Sequence, residues 1–211
     1  MTQARTAPPA ASAAPSAVVA PDATVASDVV LAAGVRVWGT SHVEAGAVIG
    51  TGTTVGRGVT IGAGVRVGAD CKVQNAALVY GPAMLGDGVF VGPGCILTND
   101  HVPRAVDADG AVRRAGDWQP SAVVVEQGAS LGAGAVCVAP VRIGRWAMVA
   151  AGAVVVADVP DHALVAGVPA RQIGWVGRTG TRLVRVDDLT FACSDTGDRF
   201  VLDGERLEVV R

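Results

Sequence analysis

Counting in sixes from Val25, an aliphatic residue returns at every step: Val25, Leu31, Val37, Val43, Ile49, Val55, Ile61, Val67, Val73, Val79, Leu85, Val91 and Leu97. The position two residues earlier is always small or β-branched, from Ala23, Val29 and Val35 through Cys71 to Val89 and Cys95. Glycine often follows the aliphatic residue, as at Gly50, Gly56, Gly62, Gly68, Gly86 and Gly92. A six-residue period matches neither the 3.6 of a helix nor the strict alternation of a hairpin array. It predicts a parallel β-helix in which each hexad supplies one short strand and one turn, and three hexads close one triangular coil. The aliphatic side chain points inward and stacks on its equivalents about 4.8 Å away. Each interior coil then covers the strand edges of its neighbours.

The series breaks after Leu97 and resumes at Val125, continuing through Leu131, Cys137, Ile143, Val149 and Val155. The gap is not a multiple of six, so residues 98–122 are expected to leave the stack as a loop. The expected fold is all-β, with about six coils over residues 23–157 and a C-terminal extension over 158–211. That extension is expected to hold two strands, near Leu189–Ala192 and Arg199–Leu202. Residues 1–22, rich in Ala, Pro and Ser, read as a disordered tail with no compact apolar stretch of the kind a secretion signal carries, which leads to the expectation of a cytoplasmic protein.

Composition narrows the picture. Half of the 211 residues are hydrophobic but only 4% are aromatic, and there are 28 glycines, as suits a repetitive core of Val and Ala. The formal charge of −2 gives no basic surface for nucleic acid, and no apolar run is long enough for a membrane span. Cys71, Cys95 and Cys137 occupy repeat positions where other hexads carry Ala or Val, and they read as small core residues rather than zinc ligands; Cys193 stands apart.

Several stretches carry a closer likeness. They are Val37-Trp38 with Ser41-His42-Val43, Lys72-Val73-Gln74-Asn75 with Val79-Tyr80, and Val89-Phe90-Val91-Gly92-Pro93. Further along come Leu97-Thr98-Asn99-Asp100 with Pro103-Arg104, Asp158-Val159-Pro160, and Gly167-Val168-Pro169-Ala170-Arg171-Gln172-Ile173-Gly174-Trp175. Together they resemble the hexapeptide-repeat acyltransferases, and within them the nucleotide-linked 3-amino-sugar N-acetyltransferases, over roughly residues 35–211. The resemblance implies a left-handed β-helix, an acetyl-coenzyme A cosubstrate without a metal, and a UDP- or dTDP-linked amino sugar as acceptor. It also implies a homotrimer with active sites between subunits.

Acetyl transfer to an amine needs a neutral nucleophile held beside the thioester. A sugar amine titrates near an α-amino group, at about 8, so an orienting polar group suffices and a strong base is optional. Asn99, at the point where the repeat gives way to the loop, is the first candidate for that role. The matching Asn of the resembled group lies at its active site; the alternative is an Asn that caps its own turn. His101 is the alternative base, or a solvated loop residue. Arg104 is a candidate for the nucleotide diphosphate or a substrate carboxylate. Asn75 and Tyr80 are candidates for the sugar pocket or for structural ladders between coils. Ala133, Ala151, Gly152 and Arg171 are candidate coenzyme A contacts, although Val149-Ala150-Ala151-Gly152 departs from the commoner Ile-Gly-Ala-Gly. Trp118 packs on a partner or anchors the loop. His162, after a Pro-Asp turn, is expected to be exposed.

Three other functions fit the repeat. A γ-class carbonic anhydrase needs three converging histidines, whereas His42, His101 and His162 are widely spaced. A non-catalytic scaffold needs no loop chemistry. An acetyltransferase for another small amine or hydroxyl keeps everything but the acceptor.

Overall fold

The computed structural model describes residues 12–114, 116–204 and 206–210. Among them there is no helix. The chain forms two-residue strands, separated by turns, that stack into three parallel sheets. The first face runs through Val30–Leu31, Val48–Ile49, Arg66–Val67, Met84–Leu85, Val123–Val125 and Val141–Ile143. The second runs through Arg36–Val37, Thr54–Val55, Lys72–Val73, Phe90–Val91, Ser130–Leu131 and Met148–Val149. The third runs through His42–Val43, Thr60–Ile61, Leu78–Val79, Ile96–Leu97, Val136–Cys137 and Val154–Val155. The expected parallel β-helix is present, and its architecture accords with the left-handed form implied by the resemblance.

The coil count is corrected upward from about six: seven coils are complete and an eighth is partly formed. At the start, Ser12–Ala13 and Val18–Val19 pair in register with Val30–Leu31 and Arg36–Val37. Pro15 and Pro21, taken in the sequence as interruptions, sit in turns, where a fixed φ is an advantage and no ladder N–H is needed. Of the expected tail, residues 1–11 lie outside the described residues, and residues 12–22 are coil. At the far end Ala163–Gly167 pairs in parallel with Met148–Val149, then turns into an antiparallel hairpin with Ala170–Trp175.

From Leu31 to Val155 the second residue of each two-residue strand in the stack points inward and is buried. Each buried Val, Leu or Ile contributes about 1.5–3 kcal/mol. Corner positions within this core are polar at Ser41, Thr53, Cys71 and Cys95. Each donates to a carbonyl of the adjacent coil: Ser41 Oγ to Gly56 at 2.6 Å, Thr53 Oγ1 to Gly68 at 2.8 Å, Cys71 Sγ to Gly86 at 3.1 Å and Cys95 Sγ to Gly132 at 2.8 Å. Burial raises Cys71 and Cys95 and pushes Cys137 up to about 12, so these thiols stay protonated.

The C-terminal extension holds six strands where two were expected: the hairpin just described and a four-stranded antiparallel sheet from Val184–Arg185, Thr190–Ala192, Arg199–Asp203 and Arg206–Val210. Its Phe200 is fully buried and meets the His162 ring edge-on at 5.3 Å between centroids. His162 is therefore buried rather than exposed, because this sheet covers it. Its Nδ1–H donates to the Val176 carbonyl at 2.9 Å, and burial lowers its pKa below the ordinary value.

Candidate active site

Two edges of the third face carry the candidate residues. Residues 98–122 leave the stack at the edge shared with the first face, after Ile96–Leu97, and return at Val123–Val125. Leu97 still pairs with Cys137 of the next coil, so the loop is extruded without interrupting the ladder. Ser121 N–H donates to the Asn99 carbonyl at 2.8 Å and closes the loop at its base. Farther out, a bridge between Val106 and Val112 makes the loop a small hairpin.

Asn99 reaches down the stack: its Nδ2 donates to the Gly81 carbonyl of the preceding coil at 2.7 Å. Gly81 directly follows Tyr80, whose exposed ring shares this edge. His101 reaches up the stack: its Nδ1 lies 3.1 Å from the Ala139 carbonyl of the following coil. A carbonyl only accepts, so Nδ1 carries the proton and Nε2 keeps its lone pair. Ala139 is itself fixed, because its N–H donates to Thr98 Oγ1 at 3.0 Å. Thr98 and Ala139 thus hold the imidazole, a contribution that sequence reasoning missed. The only signal for it was the threonine that follows the last hexad before the loop.

His101 lines a cleft of about 270 Å³ with Asp100, Val102, Arg113, Trp118, Gln119 and Ser121. Arg104 is farther along the loop, exposed, with Nη1 donating to the Pro103 carbonyl at 2.9 Å. Arg104 and Arg113 line an adjoining cleft of about 390 Å³.

Asn75 is not in this group. It lies at the other edge of the third face, where its Oδ1 accepts from Arg57 N–H at 2.9 Å, the structural ladder role. Three and four coils up from Arg57 on that same edge are Ala133 and Ala151, both exposed, with Gly152 beside the latter. The Ala133 and Ala151 N–H groups donate to no acceptor among the described residues, whereas Gly152 N–H donates to the Ala133 carbonyl at 2.8 Å. Backbones run close here: a methyl on Gly92 would lie 2.7 Å from Ala133 N. The edge therefore presents free backbone donors and no bulky side chains, which fits a ligand running along it. Arg171 is on the terminal hairpin, paired with Ala166, which follows the Val165 that registers with Val149 just before this edge; its Nη1 donates to the Ala170 carbonyl at 2.9 Å.

Within one chain, then, the structure brings Tyr80, Asn99 and His101 to one edge and Ala133, Ala151 and Gly152 to the other. His42 is exposed on the third face several coils below the loop, and His162 is buried at the opposite end of the stack from His42. The three histidines do not converge, and among the described residues no group of three His, Cys, Asp or Glu is placed to hold a metal ion.

No protein-family model matches the chain. It is 36% identical over 107 residues to serine acetyltransferase 4 of Arabidopsis thaliana, covering 50% of this chain and 29% of that one. It is 48% identical over 65 residues to the dTDP-3-amino-3,6-dideoxy-alpha-D-galactopyranose 3-N-acetyltransferase of Aneurinibacillus thermoaerophilus, covering 31% of this chain and 34% of that one. Among solved structures, AntD, an N-acyltransferase from Bacillus cereus in complex with dTDP-4-amino-4,6-dideoxyglucose and coenzyme A, superposes with a TM-score of 0.54. That match is 16% identical and covers 80% of this chain and 85% of AntD. In sequence and in fold the chain resembles the hexapeptide-repeat acyltransferases. It spans about a third of the length of the curated relatives it matches. The acceptors in these proteins' names differ.

Proposed function

We propose that the protein is an acetyl-coenzyme A-dependent N-acetyltransferase whose acceptor is a UDP- or dTDP-linked 3-amino sugar. The observation that carries this reading is His101, held through Nδ1 so that Nε2 keeps a free lone pair, on a cleft at the edge of the stack. Nε2 accepts the proton that the amine sheds as its nitrogen bonds to the thioester carbonyl carbon. The imidazolium then returns a proton to the departing coenzyme A sulfur. Asn99, already bound through Nδ2, offers its Oδ1 toward the acceptor amine.

Coenzyme A is assigned to the edge with free N–H groups at Ala133 and Ala151, and Arg171 to a phosphate. One chain separates that edge from His101 by the width of the third face. The outward side chains of the third face are Thr24, His42, Thr60, Leu78, Ile96, Val136 and Val154, with no carboxylate, Lys or Arg among them. The first face carries Arg66 and Arg142, and the second Arg36 and Lys72. Packing third faces together in a homotrimer buries uncharged surface and brings one subunit's His101 edge toward its neighbour's Ala133–Ala151 edge.

The serine acetyltransferase match supports a second reading, a small hydroxyl acceptor in the same site. Thiol release from acetyl-coenzyme A, measured with UDP- and dTDP-linked 3-amino sugars and with serine, separates the two. Turnover with a nucleotide-linked amine is the expected result. Turnover with serine alone would replace the acceptor, and no binding of coenzyme A by calorimetry would remove the enzyme reading. Asn99→Ala is expected to lower turnover by far more than it lowers melting temperature.

A further inference from the structure

The loop contains Arg104, Arg113 and Arg114, and among the described residues none of them forms an ion pair. Four acids are close in sequence, and three of them, all but Asp109, are committed to the backbone. Asp100 Oδ1 accepts from Val102 N–H at 2.9 Å, and Asp107 Oδ1 from Asp109 and Ala111 N–H at 3.0 and 2.9 Å. Asp117 Oδ2 accepts from Arg114 N–H at 2.6 Å. These are turn contacts that shape the hairpin.

Arg113 differs from the other two arginines. It is half-buried while both of them are exposed, and its backbone is fixed by an N–H bond to the Ala105 carbonyl at 3.0 Å. Nη2 donates to the Asp117 carbonyl at 3.1 Å, which holds the guanidinium in place and leaves its other donors open. It lines the His101 cleft and also the adjoining cleft that contains Arg104, so it is their common wall. The His101 cleft, about 270 Å³, falls short of the roughly 300–1,000 Å³ of a small-molecule site. An acceptor that continues past Arg113 gains the adjoining space of about 390 Å³, where the guanidiniums of Arg104 and Arg113 stand with Asp107, whose Oδ1 is already held by two backbone N–H groups. A neutral acceptor of one ring or less stays in the His101 cleft and carries no anion for either guanidinium to bind.

We infer that Arg113 is a specificity-determining residue that binds the diphosphate of the acceptor, with Arg104 beyond it and the amine at His101. This rests on the acceptor class proposed above. A planar guanidinium with open donors matches a phosphate oxygen pair. Arg113 then selects acceptors by the charge they carry away from the reacting nitrogen and leaves the chemistry itself to His101.

The test compares the full-length protein with Arg113→Ala, Arg113→Gln and Arg113→Lys, each checked for an unchanged melting temperature. The acceptors are a nucleotide-linked 3-amino sugar and the same amino sugar without its nucleotide. In Arg113→Ala and Arg113→Gln, KM for the linked acceptor is expected to rise about 10- to 100-fold, with kcat within about twofold, while the free sugar is used as by the wild type. The lysine variant recovers part of the loss. The inhibition constants of UDP and dTDP rise by the same factor. An unchanged KM and unchanged inhibition in Arg113→Ala and Arg113→Gln, with the wild type active on the linked acceptor, would overturn the role of Arg113 and leave the acceptor class standing. A wild type that binds neither UDP nor dTDP and turns over neither linked sugar would overturn the acceptor class and this role with it.

Discussion

The edge between the second and third faces has turns of two kinds, one capped by a side chain and others bare. In the lower coils Asn75 sends its side-chain oxygen to Arg57 N–H, and a polar residue closes the backbone of the adjacent turn. Similar caps recur on other edges, from Glu44 to Ala63 N–H at 3.0 Å and from Asp87 to Ala69 N–H at 2.7 Å. In the upper coils the same edge carries Ala133 and Ala151, whose N–H groups, like those of Gly39 and Asn75 lower on it, have no acceptor among the described residues. The repeat is identical in the two places, so the fold does not require the difference. Capping serves stability, whereas bare turns hold polar backbone available for a ligand. The extruded loop extends the contrast, since Asp100, Asp107 and Asp117 close turns while His101 and Arg113 face clefts.

Substitutions divide along that line. His101→Ala is expected to reduce turnover by about 10²- to 10⁴-fold with no change in melting temperature. Thiol release and thermal denaturation on the same preparation check both halves, and a matching loss of stability would move His101 to the structural side. Leu131→Ala, inside the stack, is expected to cost about 2–5 kcal/mol of stability, read by denaturant unfolding. Its effect on turnover below the unfolding temperature is expected to be slight. Asn75→Ala removes one exposed cap and is expected to cost about 1 kcal/mol without affecting KM for either substrate. A KM shift there would put Asn75 back in the sugar pocket.

The smallest effect is pH-dependent. His162 is buried under Phe200 with its pKa lowered, so the unfolded chain binds the proton more readily than the folded one. Its contribution to stability is full above the unfolded value of about 6.5 and is lost as pH falls from there toward the lower folded value. His162→Asn tolerates the positive φ of this position. It is expected to flatten the fall in melting temperature between pH 7.5 and 5.5. An unchanged slope would assign the pH dependence elsewhere.

The stack was legible because its period is independent of distance along the chain: Val25 and Val155 obey one rule, and their burial depends only on the coils above and below. The coil count was misread because Pro15 and Pro21 look like breaks in a string, although a turn accepts them. The loop's position was legible from the broken period, which made Asn99 and His101, near its start, the candidates. The partners of those residues were not, because Gly81 and Ala139 act through carbonyls, which every residue has. Asn75 and Tyr80 lie five residues apart in sequence and on different edges, a separation that appears only once three hexads are known to make one coil. The burial of His162 depended on Phe200, thirty-eight residues on, in a sheet that obeys no repeat.

The central claim is that the loop holds His101 with Nε2 bare and ready to take a proton. Nitrogen-15 NMR of the imidazole rings reads that state directly, and with three histidines in the chain the His101 signals are assigned by their loss in His101→Ala. The account predicts that the neutral ring is protonated at Nδ1 and that its Nε2 resonance shifts when the acceptor is added. A ring protonated at Nε2, or an Nε2 resonance indifferent to the acceptor, would contradict it.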